Sequence, residues 1–404
     1  MSIGASLRSL LQNRIGPALI TALLLPVIAA FAMAARGRRA LTPKRARNQL
    51  RLVWAGPPLL SLVTASDAMK SAGYKSWTIA NATYDNDVTR RFDQEALFRR
   101  RSPYGLNTLL LSCRASMLFC RAMFEADVLH GYFNGAILAR TPLAKWEYRL
   151  WKAAGNYLVL MAYGSDSFVY RTLPPARWAR AVMETYPRTE REDQAVERNV
   201  MEGSKLADAV VGCIVHTVCL PRVDFNPVLW YPFDPNLEPV YPKAGRPVRI
   251  AHAANHQLIK GTEALEQAVA RLVREGQPIE LTVLERAKHA DVLKAFAAAD
   301  IVVDQLLFGY ALAALEGMAL GKVVITGIDN SDLYEPVRRQ GLLDNLPIIF
   351  SSPEKIYEDL LSLVENAELR STLGLSTRTY AETVHSSART VELFSSVYDF
   401  IYRN

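Results

Sequence analysis

Residues Asp304–Gly327 read DQLLFGYALAALEGMALGKVVITG, and after Asp304 the only acidic side chain in that run is Glu316. The texture is that of a close-packed helix over Ala311–Leu320, stopped by Gly321 and followed by a short buried strand, KVVIT. A lone carboxylate inside such a helix is costly unless it is hydrogen-bonded. A sugar diol supplies two donors at the spacing of one carboxylate; a Glu on the solvated side of the helix is the bland alternative. Gly309 suits close approach of backbone to a ligand, and Gly317 suits tight contact of the helix with its neighbours.

Upstream, the same alternation continues as strand VRIAHAA, helix TEALEQAVARLVREG, strand IELTVL, helix ADVLKAFAAA and strand DIVVDQ; downstream come LPIIFSS and a helical region from Pro353. The first half of the chain has its own series: a strand at Leu50–Ala55, a helix ending at Gly73, strand SWTIANA, and apolar segments around Leu129, Leu160 and 207–217. Short apolar runs alternating with helical stretches argue for parallel sheets covered on both faces. Between the two series, residues 220–250 carry seven prolines and little periodicity, as an interdomain linker does. The expected organisation is a membrane segment and basic linker over 1–47, a Rossmann-like domain over 48–235, a second over 246–385 and a terminal helix over 386–404. Such an α/β pair leaves a cleft between strand C-terminal edges, where ligands of open parallel sheets bind.

The formal charge of +7 is confined to the N-terminus. Residues 1–66 hold nine Arg or Lys and no acid, which leaves 38 basic against 40 acidic residues, or −2, for the rest. A near-neutral body argues against nucleic acid as a partner. Ile15–Ala35 is uncharged, and at about 1.5 Å per residue it can cross a hydrocarbon core of about 30 Å. Pro26 in its middle would kink a spanning or re-entrant helix. Seven basic residues follow in Arg36–Arg51, which by the positive-inside rule places the body on the cytoplasmic face of the inner membrane, with this segment drawn to its anionic surface. A buried core helix is the alternative. Cys113, Cys120, Cys213 and Cys219 form no CxxC pair and have no His at zinc spacing, so neither a metal nor another cofactor is expected.

In IAHAANHQLIKGTEALEQAV, Lys260, Gly261 and Thr262 lead from a strand into a helix with Thr262 as its expected N-cap. A helix N-terminus with a Lys before it suits a diphosphate, although an ordinary capped helix fits as well. Taken in order, KGTEAL, ADIVVDQLLFG and LEGMALGKVVITG resemble the C-terminal domain of retaining glycosyltransferases of family 4, over roughly residues 247–330. The resemblance implies the GT-B architecture of two facing Rossmann-like domains and a nucleotide-sugar donor. It implies that Glu316 holds the donor ribose. The family's first acid, eight residues earlier, is replaced by Phe308, with Asp304 or Gln305 as stand-ins, and the family's Arg five residues before Lys260 is replaced by Asn255, with His252 and His256 nearby.

In the N-terminal half, WAGPP resembles the family's first loop and makes Gly56 a candidate, and ADVLHGY resembles its DxxH segment and makes His130 the candidate near the reacting sugar. Asp166 in YGSD is expected either to bind sugar hydroxyls or to cap a helix. Thr89–Gly105 holds five Arg with interleaved aromatics, and Arg99 and Arg100 there would meet a lipid-linked acceptor or headgroups; a solvated charged helix is the alternative. The implied activity is retaining sugar transfer, without metal, to a lipid-linked or membrane-proximal glycan acceptor, as in polysaccharide biosynthesis. A sugar-nucleotide epimerase of the same fold, or a catalytically weak binding or scaffold subunit, are the other classes, the second favoured by Phe308 and Asn255.

Overall fold

The computed structural model describes residues 16–83, 88–96, 106–172, 177–186, 189–213, 219–244, 247–307, 309, 311–327, 335–339, 341 and 344–403. Its first helix, α1 (Gly16–Leu41), carries Pro26 inside it. A sheet follows from β1 (Arg51–Gly56), β2 (Lys75–Ala80), β3 (Gln94–Glu95), β4 (Val128–Tyr132), β5 (Tyr157–Met161) and β6 (Ala209–Val211). Its strand order is β3-β2-β1-β4-β5-β6 and each pairing is parallel. The connections carry α2 (Leu60–Ser71), α3 (Leu106–Glu125), α4 (Glu147–Ala153), α5 (Arg177–Thr185) and α6 (Thr189–Leu206). Of the described part of the apolar segment 207–217, Ala209–Val211 is strand. The short β3 lies inside the Arg-rich stretch, where a patch or a helix was expected: Gln94 and Glu95 pair with Ile79 and Ala80.

The second sheet has the order β11-β10-β9-β7-β8, again parallel, from β7 (Val248–Ala253), β8 (Ile279–Leu284), β9 (Ile301–Val303), β10 (Val323–Gly327) and β11 (Ile349–Ser351). Around it lie α7 (Gln257–Lys260), α8 (Thr262–Arg274), α9 (His289–Ala298), α10 (Leu312–Ala319), α11 (Glu335–Arg339), α12 (Ile356–Glu365) and α13 (Ala367–Val384). In α10, a Cβ on Gly317 would sit 3.1 Å from Val302 and Val324, so the missing side chain lets the helix lie against β9 and β10. Gly321 ends the helix with φ +69°, a left-handed conformation open to glycine.

The proline-rich linker is fastened to the second domain by side chains buried for that purpose. Lys322 is 1% exposed, and its ammonium donates to the carbonyls of Val240 and Ala297. Arg378 donates to Leu237 and Ala319 in the same way. The last helix, α14 (Ser387–Arg403), returns to the first domain, where Phe394, Val397 and Tyr398 enter its core beside α2 and β1.

Helix α1 is neither isolated nor buried on all sides. Ile28, Ala32 and Ala35 join the core formed with Phe119 and Met123 of α3 and Trp151 of α4, whereas Leu19, Leu23, Val27 and Phe31 are exposed. Burial of a side chain such as Ile28 contributes about 1.5–3 kcal/mol, which holds one face of the helix to the domain.

Candidate functional site in the interdomain cleft

Strand order reverses between β1 and β4 in the first sheet and between β7 and β9 in the second. Those are the points at which a doubly wound sheet opens a crevice at its C-terminal edge. At the second of them, Lys260 ends the single turn of α7, and Gly261, at φ +72°, is the N-cap of α8. Thr262 is therefore the first residue of the helix rather than its cap. Its hydroxyl donates instead to His252 Nε2 at 2.9 Å, while His252 Nδ1–H donates to the Val303 carbonyl at 2.8 Å. Burial lowers His252 to about 4. It is a neutral strut between β7, β9 and α8, and the positive charge at this turn comes from Lys260.

Asp304 leaves the end of β9 with a fully buried carboxylate. One oxygen faces Lys260 Nζ at 3.4 Å, and the other accepts the Ala311 amide at 2.8 Å, at the N-cap of α10. The Leu306 amide donates to the Lys260 carbonyl at 3.0 Å, so the loops after β7 and β9 form one unit. A Cβ at Gly261 would meet Leu306 at 3.0 Å, which explains glycine there twice over. Gln305 Nε2 and Thr326 Oγ1 both donate to the Gly309 carbonyl, at 2.9 and 2.8 Å. Asp304 and Gln305, expected as stand-ins for the missing acid on the sugar, are spent on holding Lys260 and the loop; Phe308 lies outside the described residues.

Glu316 is 4% exposed and does have a partner: His289 Nε2, at 2.6 Å, from the first turn of α9. The hydrogen bond to Glu316 raises His289 above its ordinary value against the effect of burial, and the charges of Arg91 and Asp234 act on it as well. Arg91 and Asp234 pair with each other at 3.6 Å, from the first domain and the linker. Linker residue Tyr231 is raised by burial, then by Cys213, Asp304 and Glu316, which ties both acids to one locality. Asn255 accepts the Arg286 amide at 2.9 Å, and His256 pairs with Tyr186 Oη of the first domain at 2.7 Å; burial lowers His256, and the charges of Lys260 and Arg286 lower it further. Beside Gly261 and Leu307 a cavity of about 500 Å³ opens, faced from the first domain by Arg177 and Arg180. Arg177 crosses to Glu354 at 2.6 Å.

The first domain's edge departs from expectation. His130 is mid-strand, fully buried, stacked on Trp54 with ring centroids 3.7 Å apart, and bonded through Nδ1 to the Val53 carbonyl and through Nε2 to Tyr398 Oη at 3.0 Å. Burial lowers it to about 3. With both nitrogens used and no exposed surface it cannot act on a sugar, so its assignment as a catalytic residue is corrected to one in the core. Gly56 is also filled from within: a Cβ there would sit 2.7 Å from the Tyr132 ring, which accounts for the glycine without a ligand. Asp166 accepts the amides of Tyr163, Gly164 and Phe133. It is 1% exposed, and burial raises it to about 7. Its carboxylate braces the loop after β5 and does not bind hydroxyls. Glu147 braces the loop after β4 likewise, through the amides of Ala136, Ile137 and Leu138.

Arg99 and Arg100 lie outside the described residues, as does the Asp85-Asn86-Asp87 run that bears on the expectation of no metal. Among the described residues no cluster of three His, Cys, Asp or Glu is placed to hold a metal ion. Sequence reading missed His289, Arg91, Tyr231 and Asp234. The signal for His289 was its place one short loop beyond β8, on the same edge of the sheet as Lys260.

No family model matches the sequence, and the search of curated proteins gives no match. Among solved structures, Anabaena HepE in complex with UDP-glucose is similar with a TM-score of 0.55 at 12% identity, over 87% of this chain and 100% of that one. The same protein with UDP and glucose gives 0.55 at 11% over the same shares. A Listeria monocytogenes protein assigned as a UDP-N-acetylglucosamine 2-epimerase gives 0.50 at 11%, over 88% and 98%. At these identities the likeness is one of fold: the chain has the GT-B architecture, two parallel-sheet α/β domains facing each other across the cleft.

Proposed function

We propose that the chain is a glycosyltransferase that moves a sugar from a nucleotide-sugar donor to a lipid-linked or membrane-proximal glycan acceptor, with retention at the anomeric carbon. The observation that carries this reading is the two pairs on the loops and helices at the C-terminal edge of the second sheet, Lys260 with Asp304 and Glu316 with His289. Lys260, held by Asp304, and the N-terminus of α8 would take the donor diphosphate; Glu316 would take the ribose diol. As the sugar–phosphate bond breaks, negative charge grows on the diphosphate, and a fixed ammonium there lowers the barrier by several kcal/mol. With His130 in the core, the base for the acceptor hydroxyl would be the leaving diphosphate itself, on the same face of the sugar. We place the protein at the cytoplasmic face of the inner membrane through α1, in a role in polysaccharide assembly without metal.

Thermal unfolding in the presence of a panel of nucleotide sugars tests the donor site, since a ligand at 100 times its Kd adds about 2.7 kcal/mol of stability. A donor that stabilises the wild type and not Glu316→Ala supports the reading. If no nucleotide sugar stabilises the protein, the reading is overturned. Donor binding without transfer to membrane extracts would favour a scaffold subunit, and epimerised sugar without acceptor would favour an epimerase.

A further inference from the structure

A charge imbalance lies away from the cleft as well. At the opposite, N-terminal edge of the first sheet, a cavity of about 410 Å³ lies where α1 ends and the chain enters β1. That volume falls within the range of about 300–1,000 Å³ usual for small-ligand sites. Arg36, Arg38, Arg39, Lys44, Arg45 and Arg51 line it, and Asp127 is its one lining carboxylate. Asp127 is already used by Arg45 Nη1 and by the amide of Arg51, each at 2.9 Å. A further lining cation, Lys152, is answered by Asp208 at 2.6 Å. Arg39 reaches only neutral acceptors: Asn156 Oδ1 and the carbonyls of Met123 and Ala126. Among the described residues, Arg36 and Lys44 pair with no carboxylate.

Such a cavity is rich in donors, short of acceptors and positive in sum. Burial lowers Arg39 and Arg51, and the neighbouring Arg45 and Arg38 lower them further while Asp127 opposes. Phosphate oxygens accept without donating and carry the missing charge, so a phosphate is the complement of this lining.

The source of the phosphate is set by what adjoins the cavity. Leu19, Leu23, Val27 and Phe31 repeat every four residues along α1 and are 59%, 66%, 52% and 45% exposed. That spacing forms one continuous face, and Arg38, seven residues after Phe31, continues it into the cavity. The side of α1 that carries Ile28, Ala32, Ala35 and Arg39 is fixed to α3 and the strand edge, and Phe31 and Arg38 border it, meeting the ring and the carbonyl of Phe124. A helix held lengthwise on a domain, with an apolar outer face leading into a basic cavity, is able to lay that face in a membrane interface with its domain beside it.

We propose that this cavity is a binding site for the phosphate headgroup of an anionic phospholipid, whose acyl chains lie along the Leu19–Leu23–Val27–Phe31 face of α1. The site would fix the depth and orientation of the first domain on the membrane, with the cleft at the far edge of the sheet. It stands apart from the donor site, so the two proposals can fail separately.

The test is flotation of the full chain with vesicles of phosphatidylcholine alone and with phosphatidylglycerol added. The wild type is expected to prefer the anionic vesicles. Replacing Arg36, Arg38 and Lys44 together by Gln should weaken that binding by about fivefold per cation, on the order of 100-fold in all, whereas Lys at Arg36 and Arg38 should retain it. Leu23→Gln with Val27→Gln should weaken binding to both vesicle types. The thermal unfolding midpoint of each variant without ligand should match that of the wild type, which shows that it folds whether or not a donor is found. Three results overturn the proposal: equal binding of the wild type to both vesicles, undiminished anionic binding by the cavity variant, or an equal loss when exposed Arg274, Arg286 and Lys294 of the second domain are replaced instead. Stabilisation by inorganic phosphate that the cavity variant loses, with vesicle binding intact, would assign the cavity to a soluble anion and overturn the lipid source.

Discussion

Glu316 Oε1 and His289 Nε2 stand 2.6 Å apart between α10 and α9, with Glu316 buried and His289 reaching the cleft. The carboxylate is thus held in place before any donor arrives, and one of its oxygens stays available to a second donor group. Glu316→Ala is expected to weaken nucleotide-sugar binding by about 10- to 100-fold, the equivalent of the roughly 1.5–3 kcal/mol of hydrogen bonds to a charged group. His289→Gln, which keeps a side-chain donor toward Glu316, should lose less. Isothermal titration with the donor found in the thermal screen reads both, and equal affinity for wild type and Glu316→Ala would remove Glu316 from the site.

The same pair sets a pH dependence. Glu316 raises His289 above its ordinary value, so the folded protein binds the proton more tightly than the unfolded chain does. The stability contributed by the pair is therefore fully present below the unfolded value of about 6.5 and is lost as pH rises through the higher folded value. Urea denaturation across neutral pH should show this loss in the wild type and not in His289→Gln. A parallel decline in both would place the titration elsewhere.

Lys260 is the cation that the proposed chemistry needs. Lys260→Met should reduce kcat on the order of 100- to 1,000-fold by removing charge from the leaving diphosphate, and it should also cost stability, because it leaves the buried Asp304 carboxylate without its cation. Asp304→Asn acts through Lys260 and the α10 cap, and should cost about 1–3 kcal/mol in stability as well as activity. A Lys260→Met enzyme with unchanged kcat would show that the turn carries no diphosphate.

The second domain was legible in the sequence because its signals are local. Gly321 stops α10 and Gly317 lets it lie against the sheet, and Lys260-Gly261 marks the turn where β7 gives way to a helix. The site's partners were not legible, because they come from elements far apart in the chain. His289 meets Glu316 across 27 residues, and Tyr398 meets His130 across 268. The four-residue segment around His130 looks the same whether its strand end is open to a cleft or covered by a C-terminal helix, and only the return of α14 decides which. Asp166 and Glu147 were hidden in the same way, since their ligands are backbone amides that carry no side-chain signature.

Gly56 offers a sharp steric test. A methyl group there would stand 2.7 Å from the Tyr132 ring, which is fixed by burial and by Ser61 Oγ at 3.2 Å from its hydroxyl. Gly56→Ala should destabilise the protein by about 1–3 kcal/mol through overpacking. Gly56→Ala with Tyr132→Leu should recover part of that loss in thermal unfolding. A loss of donor binding without a change in stability would instead return Gly56 to the ligand site.

His130 and Tyr398 join the first domain to the last helix of the chain, and their chemistry predicts a coupling that can be measured. Val53 offers only a carbonyl, so His130 Nδ1 carries the proton and Nε2 accepts from the Tyr398 hydroxyl. Tyr398→Phe leaves a buried imidazole nitrogen without its donor, and His130→Phe leaves a buried hydroxyl without its acceptor; each should cost about 1–3 kcal/mol. The double variant replaces both partners by rings that keep the stack on Trp54 and the contact with Phe394, so it should lose less than the sum of the two. Denaturant unfolding of the four proteins gives the coupling directly. Donor affinity should be the same in all four, because neither side chain reaches the cleft. An additive cycle would mean that the hydrogen bond contributes nothing, and a His130→Phe protein of full stability that no longer turns over substrate would restore His130 to the reacting site.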